Sequence, residues 1–161
     1  MGNIKTNAMR LLDRAGVSYN TYTYDHEDGL IDGVSVASKL GQPVERVYKT
    51  LVTKGASGEH YVFIIPVAAE LDLKAAAKSV NEKAVEMIKV ADINKVTGYI
   101  RGGCSPLGMK KDYKTVLDSS GLARETIIVS AGKIGHQIEL PPEELIKVIH
   151  CTTDDIARHD Q

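Results

Sequence analysis

The sequence of 161 residues carries 20 basic and 21 acidic side chains, a formal net charge of −1 and a pI of about 6.5. That length fits a single domain over residues 1–161 with room for a real core, and the near-neutral balance excludes a globally basic nucleic-acid binder, so any such contact must come from a local patch. No apolar run approaches the roughly 20 residues of a membrane span, and "MGNIKTNAMRLL" lacks a charged head followed by an apolar core, so a cytoplasmic protein with no membrane partner is expected.

From the N-terminus, "TNAMRLLDRAG" predicts a first helix in which Ala8, Leu11, Leu12 and Ala15 share a face, Thr6 or Asn7 caps, and Gly16 ends the helix. "YNTYTYDH" alternates as a strand does. Ser35 to Leu40 predict a short helix closed by Gly41, with Pro43 opening the next turn. Val47 to Thr53 and "HYVFIIP" predict a hairpin around a loop holding Gly55 and Gly58. In "AELDLKAAAKSV", Leu73, Ala76, Ala77 and Val80 fall at helical spacing, while Lys74 and Lys78 share a more exposed face. Val85 to Met87 predict a short strand, and Asp92 a cap for a brief helix ending at Gly98. "TVLDS", "ETIIVSA" and "HQIEL" read as strands, and "PPEELIKVIH" as a terminal amphipathic helix with proline in its first turn. Strands outnumber simple βαβ units, so the expected fold class is α/β of the mixed α+β type: a curved, barrel-like mixed sheet with helices packed around it.

The strand "ERVYKTLVT" places Lys49 between Val47 and Leu51 on one face. Such a lysine either buries only its methylenes and reaches water, guards an exposed edge, or serves a site. Two glycine-rich loops bear on that choice. "TGYIRGGCSPLGMKK" holds Gly98, Gly102, Gly103 and Gly108 around Ser105 and Pro106, too long and too often broken for an ordinary hairpin. "VSAGKIGHQIEL" sets Ser130, Gly132, Lys133, Gly135 and His136 between two strands, either as a bulged turn or as a cradle for a carbonyl or carboxylate. Neither loop has the Gly-Lys-Ser/Thr or Gly-x-Gly-x-x-Gly pattern of a nucleotide site, so no cofactor is expected.

"VYKTLV", "LDLKAAAKSV", "TGYIRGGCSPLGMKK" and "VSAGKIGHQIELPPEEL" together resemble, in order and spacing, the YbaK/EbsC family, most closely its Cys-tRNA(Pro) deacylases. They are also similar to the editing insertion of bacterial prolyl-tRNA synthetases. The resemblance implies a stand-alone proofreading enzyme that removes cysteine from mischarged tRNA-Pro, a correction needed because a pocket cannot strongly reject a ligand of similar size. It places Lys49 in the substrate pocket as the catalytic position, its ammonium there either to bind the terminal adenosine's phosphate or ribose or to polarise the ester, with Tyr24, Gly102, Gly103, Ser105, Ser130, Gly132 and Gln137 as substrate-binding positions. It implies substrate-assisted chemistry, in which the cysteine thiol attacks its own ester and leaves as a cyclic thiolactone. It also suggests a complex with prolyl-tRNA synthetase. The chain departs from cysteine-specific members at Gln137, where they carry an acidic residue, at His136 before it, and at Cys104 in place of an aliphatic residue.

For the tRNA itself, Lys110 and Lys111 of "MKKDYK", with Lys114, Arg101, Lys74 and Lys78, are the candidate phosphate contacts. Cys104 and Cys151 lack Cys-x-x-Cys spacing, so reduced thiols are expected, and His26, His60, His136, His150 and His159 show no metal spacing. Asp25, Glu27, Asp28 and Asp32 read as a solvated loop at the pocket's edge, without a calcium-loop pattern. Two further readings stand beside editing of cysteine: a non-catalytic module that binds aminoacyl-tRNA or a synthetase, and a deacylase for another small amino acid such as alanine. A separate small-ester hydrolase would pair Cys104 with His136.

Overall fold

The computed structural model describes residues 5–30 and 32–158; His159 lies outside the described residues. Helices α1 (Asn7–Arg14), α2 (Gly33–Leu40), α3 (Leu73–Ser79), α4 (Ile93–Thr97) and α5 (Pro142–Ile149) alternate with strands. The strands are β1 (Asn20–Thr23), β2 (Tyr48–Gly55), β3 (His60–Pro66), β4 (Glu70–Leu71), β5 (Val85–Met87), β6 (Lys114–Asp118), β7 (Ile127–Lys133), β8 (His136–Leu140), β9 (Thr152–Asp154) and β10 (Ala157–Arg158). The class is mixed α/β, as expected. The strands divide among a five-stranded sheet ordered β5-β2-β3-β6-β9, a three-stranded sheet ordered β1-β8-β7 and a β10-β4 pair, so the expected barrel-like closure is not found among the described residues.

The period-2 pattern of the β2–β3 hairpin splits its side chains between two cores. Lys49 opposes Ile65 and Leu51 opposes Phe63 in the ladder, and Phe63 and Ile65 pack with Val116, Ile156 and the buried Ala76 and Ala77 of α3. The alternate residues Tyr48 and Ile64 join Leu117 in a second core, which α1 and α5 complete against Ile127, Val129, Ile138 and Leu140 of the small sheet. A third cluster of Ala37, Val47, Val67 and Ile128 ties α2 to both sheets at a single parallel bridge between Val47 and Ile128.

Local chemistry sets most element ends. The Thr6 hydroxyl accepts from the Met9 amide to cap α1, Asp32 accepts from the Ser35 amide to cap α2, and Gly41 closes α2 in the left-handed region. Four expectations need correction. In α1, Met9 is buried beside Ala8 and Leu12, and Ala15 is exposed because it is the C-cap just past the last helical residue, Arg14. Leu73, the first residue of α3, stays 44 % exposed, while Ala76 and Ala77 one turn on are buried. Asp92 makes no capping bond and instead pairs with Lys95 at 3.5 Å. The helix α5 is not terminal: β9 follows it and adds to β6 in parallel, with the buried Asp118 carboxylate accepting from the Ile156 and Ala157 amides to hold that return.

Candidate active site

The edge of β2 opposite β3 is paired with β5 only from Thr53 to Gly55, so among the described residues Tyr48 to Leu51 have no strand neighbour on that side. A cavity of about 120 Å³ opens there, between α2, the small sheet and the first glycine-rich loop. Five sequence-predicted positions line it: Tyr24, Lys49, Gly102, Ser130 and Gln137. Val36, Val47 and Val67 supply its apolar wall, and Thr50 and Cys104 complete the set that bears on chemistry. The throat of Lys49, Thr50, Gly102 and Cys104 is shared with a larger neighbouring cleft of about 530 Å³.

Gly103, Ser105 and Gly132 do not line the cavity; they build the loops around it. A Cβ on Gly103 would stand 3.0 Å from the Ile134 nitrogen, so the two glycine-rich loops meet backbone to backbone only because this position is glycine. Ser105 is fully buried, and its hydroxyl accepts from the Leu107 amide. Gly132 has φ of +100°, and a Cβ there would lie 2.9 Å from Tyr99 Cε1. It forms part of a bulge between Ser130 and Lys133, so β7 and β8 continue almost to the turn and leave only Ile134 and Gly135 between them. The Ser130 hydroxyl accepts from the Gly132 amide, which aims it beside Gln137, its partner in the ladder.

Charge and hydrogen-bond capacity concentrate at the throat. Lys49 is partly buried and has no ion-pair partner among the described residues; burial pulls its pKa below 10.5, against weak support from Glu70. Tyr24 is 8 % exposed, and its hydroxyl, like that of Thr50, is buried without a partner among the described residues. Orphaned hydroxyls at the mouth of a cavity are groups held ready for a ligand. Cys104 offers no thiolate, because burial pushes its pKa up to about 11 despite the Thr97 hydroxyl. His136 is absent from the cavity lining, and burial, Lys133 and His26 hold it below the usual imidazole range.

Lys39 and Glu139 carry positioning roles that the sequence did not disclose. The Lys39 ammonium donates to the Asp25 and Leu30 carbonyls at 2.6 and 3.0 Å and to the Asp28 carboxylate at 2.7 Å, and lies 5.9 Å from the Tyr24 ring centre. It thereby pins the acidic loop at the pocket's edge, and Tyr24 itself is fastened to the second loop by the hydrogen bond its backbone amide donates to the Gly135 carbonyl. Glu139 is 6 % exposed and accepts from Tyr22 at 2.7 Å, Thr126 at 2.6 Å and Asn20 at 3.2 Å, with Arg46 at 3.5 Å.

The candidate tRNA cations are not gathered in one patch. Arg101 is exposed on the rim of the larger cleft, Lys110 and Lys111 line a separate groove beside α5, and Lys74 and Lys78 project from α3. His60 packs edge-on against Tyr113 and His150 caps α5 in the left-handed region. No cluster of His, Cys, Asp or Glu able to hold a metal ion occurs among the described residues.

The model of the aminoacyl-tRNA editing domain matches residues 32–148, which contain every cavity residue named above except Tyr24. The chain belongs to the aminoacyl-tRNA editing domain family. It is 46 % identical over 144 residues to a protein of Enterococcus faecalis named "Putative Cys-tRNA(Pro)/Cys-tRNA(Cys) deacylase EbsC", covering 89 % of this chain and 88 % of that one. The fold of this editing domain is shared with the crystal structure of a hypothetical protein at a TM-score of 0.87 and 19 % identity, over 95 % of this chain and 100 % of that one. It is shared too with "a putative trans-editing enzyme for prolyl tRNA synthetase", at a TM-score of 0.83 and 21 % identity over 97 % of this chain and 99 % of the other.

Proposed function

We propose that this editing domain, acting as one unit over residues 1–161 in the cytoplasm, removes cysteine from mischarged tRNA-Pro in trans. The observation that carries the reading is the cavity's chemistry. Among the described residues, it sets a partly buried, unpaired ammonium beside two unpartnered hydroxyls, in a lining with no carboxylate, no imidazole and a thiol held protonated. Such a site positions and stabilises charge but supplies no nucleophile, which suits a substrate that carries its own. The substrate thiol attacks the ester carbonyl; the carbon–sulfur bond forms as the bond to the ribose oxygen breaks, and the thiol proton ends on that oxygen. The products are a cyclic thiolactone and tRNA with a free terminal hydroxyl. Lys49 stabilises the oxyanion that develops on the way, while Tyr24, Thr50, Ser130 and Gln137 orient the aminoacyl group. The name of the Enterococcus faecalis relative supports cysteine as the amino acid. A complex with prolyl-tRNA synthetase would supply selection of the tRNA.

Purified protein incubated with Cys-tRNA(Pro), Ala-tRNA(Pro) and Cys-tRNA(Cys) tests this directly. Loss of the aminoacyl group from the cysteine substrates alone supports the thiol route. Loss from the alanine substrate as well would replace it by water attack, and turnover of none would leave a binding module. Cys104→Ala is expected to retain turnover to within about tenfold, since a thiol with a pKa near 11 is not a nucleophile at neutral pH. Loss of activity in that variant, with an acyl-enzyme trapped in the parent, would reverse the assignment.

For the tRNA, Lys110→Ala combined with Lys111→Ala is expected to flatten the plot of log affinity against log salt by about one to two units, if each lysine meets one phosphate. Binding of uncharged tRNA-Pro measured across a salt series reads the slope, and an unchanged slope removes both lysines from the contact.

A further inference from the structure

We propose that the cavity receives its aminoacyl ester with the α-amino group uncharged, and that Gln137 is the residue that sets this preference. The inference rests on the reading of the cavity as the seat of the aminoacyl group. In any aminoacyl ester the amine stands one carbon from the carbonyl. A carbonyl held against Lys49, in a space of about 120 Å³, therefore brings the amine close to the Lys49 ammonium. Two like charges at that range oppose each other, and burial penalises both. Relief would need a carboxylate, and the described lining holds none. What Gln137 contributes instead is a neutral carboxamide: the residue is 6 % exposed, and its side chain makes no hydrogen bond among the described residues.

Hydrogen-bonding capacity points the same way. An ammonium offers three donors and no lone pair, whereas a free amine also accepts. The orphaned Tyr24 and Thr50 hydroxyls and the Gln137 carboxamide can each donate or accept, and Lys49 only donates. The charged groups around the cavity do not supply the missing anion. Asp32 lines the larger cleft, where the Ser35 amide and hydroxyl occupy its carboxylate at 3.1 and 2.7 Å, and Arg101 on that cleft carries the opposite sign. Asp25, Glu27 and Asp28 lie on the exposed loop before α2, with Asp28 paired to Lys39 and Asp25 accepting from the Glu27 amide. Further along β8, Glu139 is taken by Tyr22, Thr126, Asn20 and Arg46. Glu70, whose pull on Lys49 is weak, pairs with Arg158 at 3.4 Å. Lys133, His26 and His136 of the neighbouring loops stay outside the lining, and within it Tyr48 and Cys104 remain neutral, their pKa values raised by burial.

Equilibrium binding of two tRNA-Pro ligands, each joined through a 3′-amide that resists turnover, tests the preference. One carries cysteine; the other carries 3-mercaptolactate, in which a hydroxyl replaces the amine. Groups of the protein that titrate between pH 6 and 8 act on both ligands alike, so the ratio of the two affinities reads the amine. Such an amine titrates at roughly 7 to 8, and shedding its proton on binding is expected to weaken the cysteine ligand about tenfold, relative to the hydroxy ligand, from pH 8 to pH 6. Gln137→Glu keeps the shape and adds the missing anion, and is expected to hold that change to within about twofold. A ratio constant with pH in the parent, or one that favours the cysteine ligand toward pH 6, would show that an anion meets the ammonium and would overturn the proposal. A ratio that Gln137→Glu leaves as steep as the parent's would overturn the role of this residue, and the parent's profile is a test by itself if the variant does not fold. The expected profile in a protein that leaves ordinary Cys-tRNA(Pro) intact would sink the deacylase reading and leave the preference standing.

Discussion

Lys49→Met is expected to lower single-turnover deacylation of Cys-tRNA(Pro) by on the order of 10²-fold or more, while the protein melts at or above the temperature of the parent. Methionine keeps the apolar stem that packs along β2 and removes only the charge. In the free protein that charge is a burden: the ammonium is partly buried, burial lowers its pKa, and no described carboxylate pairs with it. The sign of the linkage follows. A lysine whose folded pKa lies below its unfolded value of about 10.5 destabilises the fold at all pH below the folded value, and the burden fades as pH rises toward 10.5. The gain from methionine is therefore present across neutral pH and shrinks in alkali. Turnover should fade in the same direction, as pH rises through the lowered pKa, after subtraction of the substrate's own alkaline hydrolysis. Single-turnover kinetics with thermal denaturation on one preparation decide the matter. A melting temperature several degrees lower would make Lys49 a structural residue, and unchanged turnover would remove it from the site.

Local alternation fixes the face on which Lys49 lies but not its function, and it is the resemblance of "VYKTLV" to the editing family that points it at a substrate pocket. Alternation in "ERVYKTLVT" placed Lys49 with Val47 and Leu51, and the register opposing Lys49 to Ile65 keeps it on that face. Thr50 was not legible by the same rule, since alternation sends it to the opposite face; both reach the cavity because the cavity opens on the unpaired edge of β2, a property of sheet order rather than of the strand. The glycines of the two loops were visible as loop formers. Which of them touch a ligand was not, because the contact of Gly103 with Ile134 and of Gly132 with Tyr99 depends on how the loops stack. Strands β9 and β10 were hidden for a related reason: pieces of two or three residues carry no periodicity and exist through their pairing with β6 and β4. The mixed α/β class was legible but the barrel-like arrangement is not found among the described residues, because alternation tells how many strands there are but not which edges stay open.

Glu139 shows the cost of reading one strand at a time, and replacing it is expected to be the most damaging single change to stability near the site. Alternation in "HQIEL" puts it on the same face as Gln137 but says nothing of its partners, and it is 6 % exposed and accepts from Tyr22, Thr126 and Asn20. Asn20 lies 119 positions away in the chain, so no local window contains the network. The bonds join β1 to β8 on the face that also carries Gln137, whose ladder partner is Tyr22, two residues before Tyr24. Glu139→Ala is expected to cost about 1–3 kcal/mol, since it removes the shared acceptor of the half-buried Tyr22 and Thr126 hydroxyls, while the exposed Asn20 and the partly exposed Arg46 can turn to water. Turnover should fall with it, because β1 no longer fixes Tyr24. The conservative Glu139→Gln separates charge from shape. Burial by itself would raise the carboxyl pKa, but Thr126, Tyr22, Asn20 and Arg46 outweigh it and hold the group below 4.5. A carboxylate with a depressed folded pKa stabilises the native state above its unfolded value near 4.5, and that contribution disappears as pH falls through the lower folded value. The glutamine variant cannot titrate there, so the stability gap between parent and variant must narrow on acidification below about 4.5. The exposed carboxylates with lowered pKa, Asp13, Asp28, Asp32 and Glu82, are common to both proteins and cancel in the difference. Denaturant midpoints of the two proteins measured from neutral to acid pH read that gap, and curves that stay parallel throughout would mean that Glu139 is not held as an anion by its neighbours.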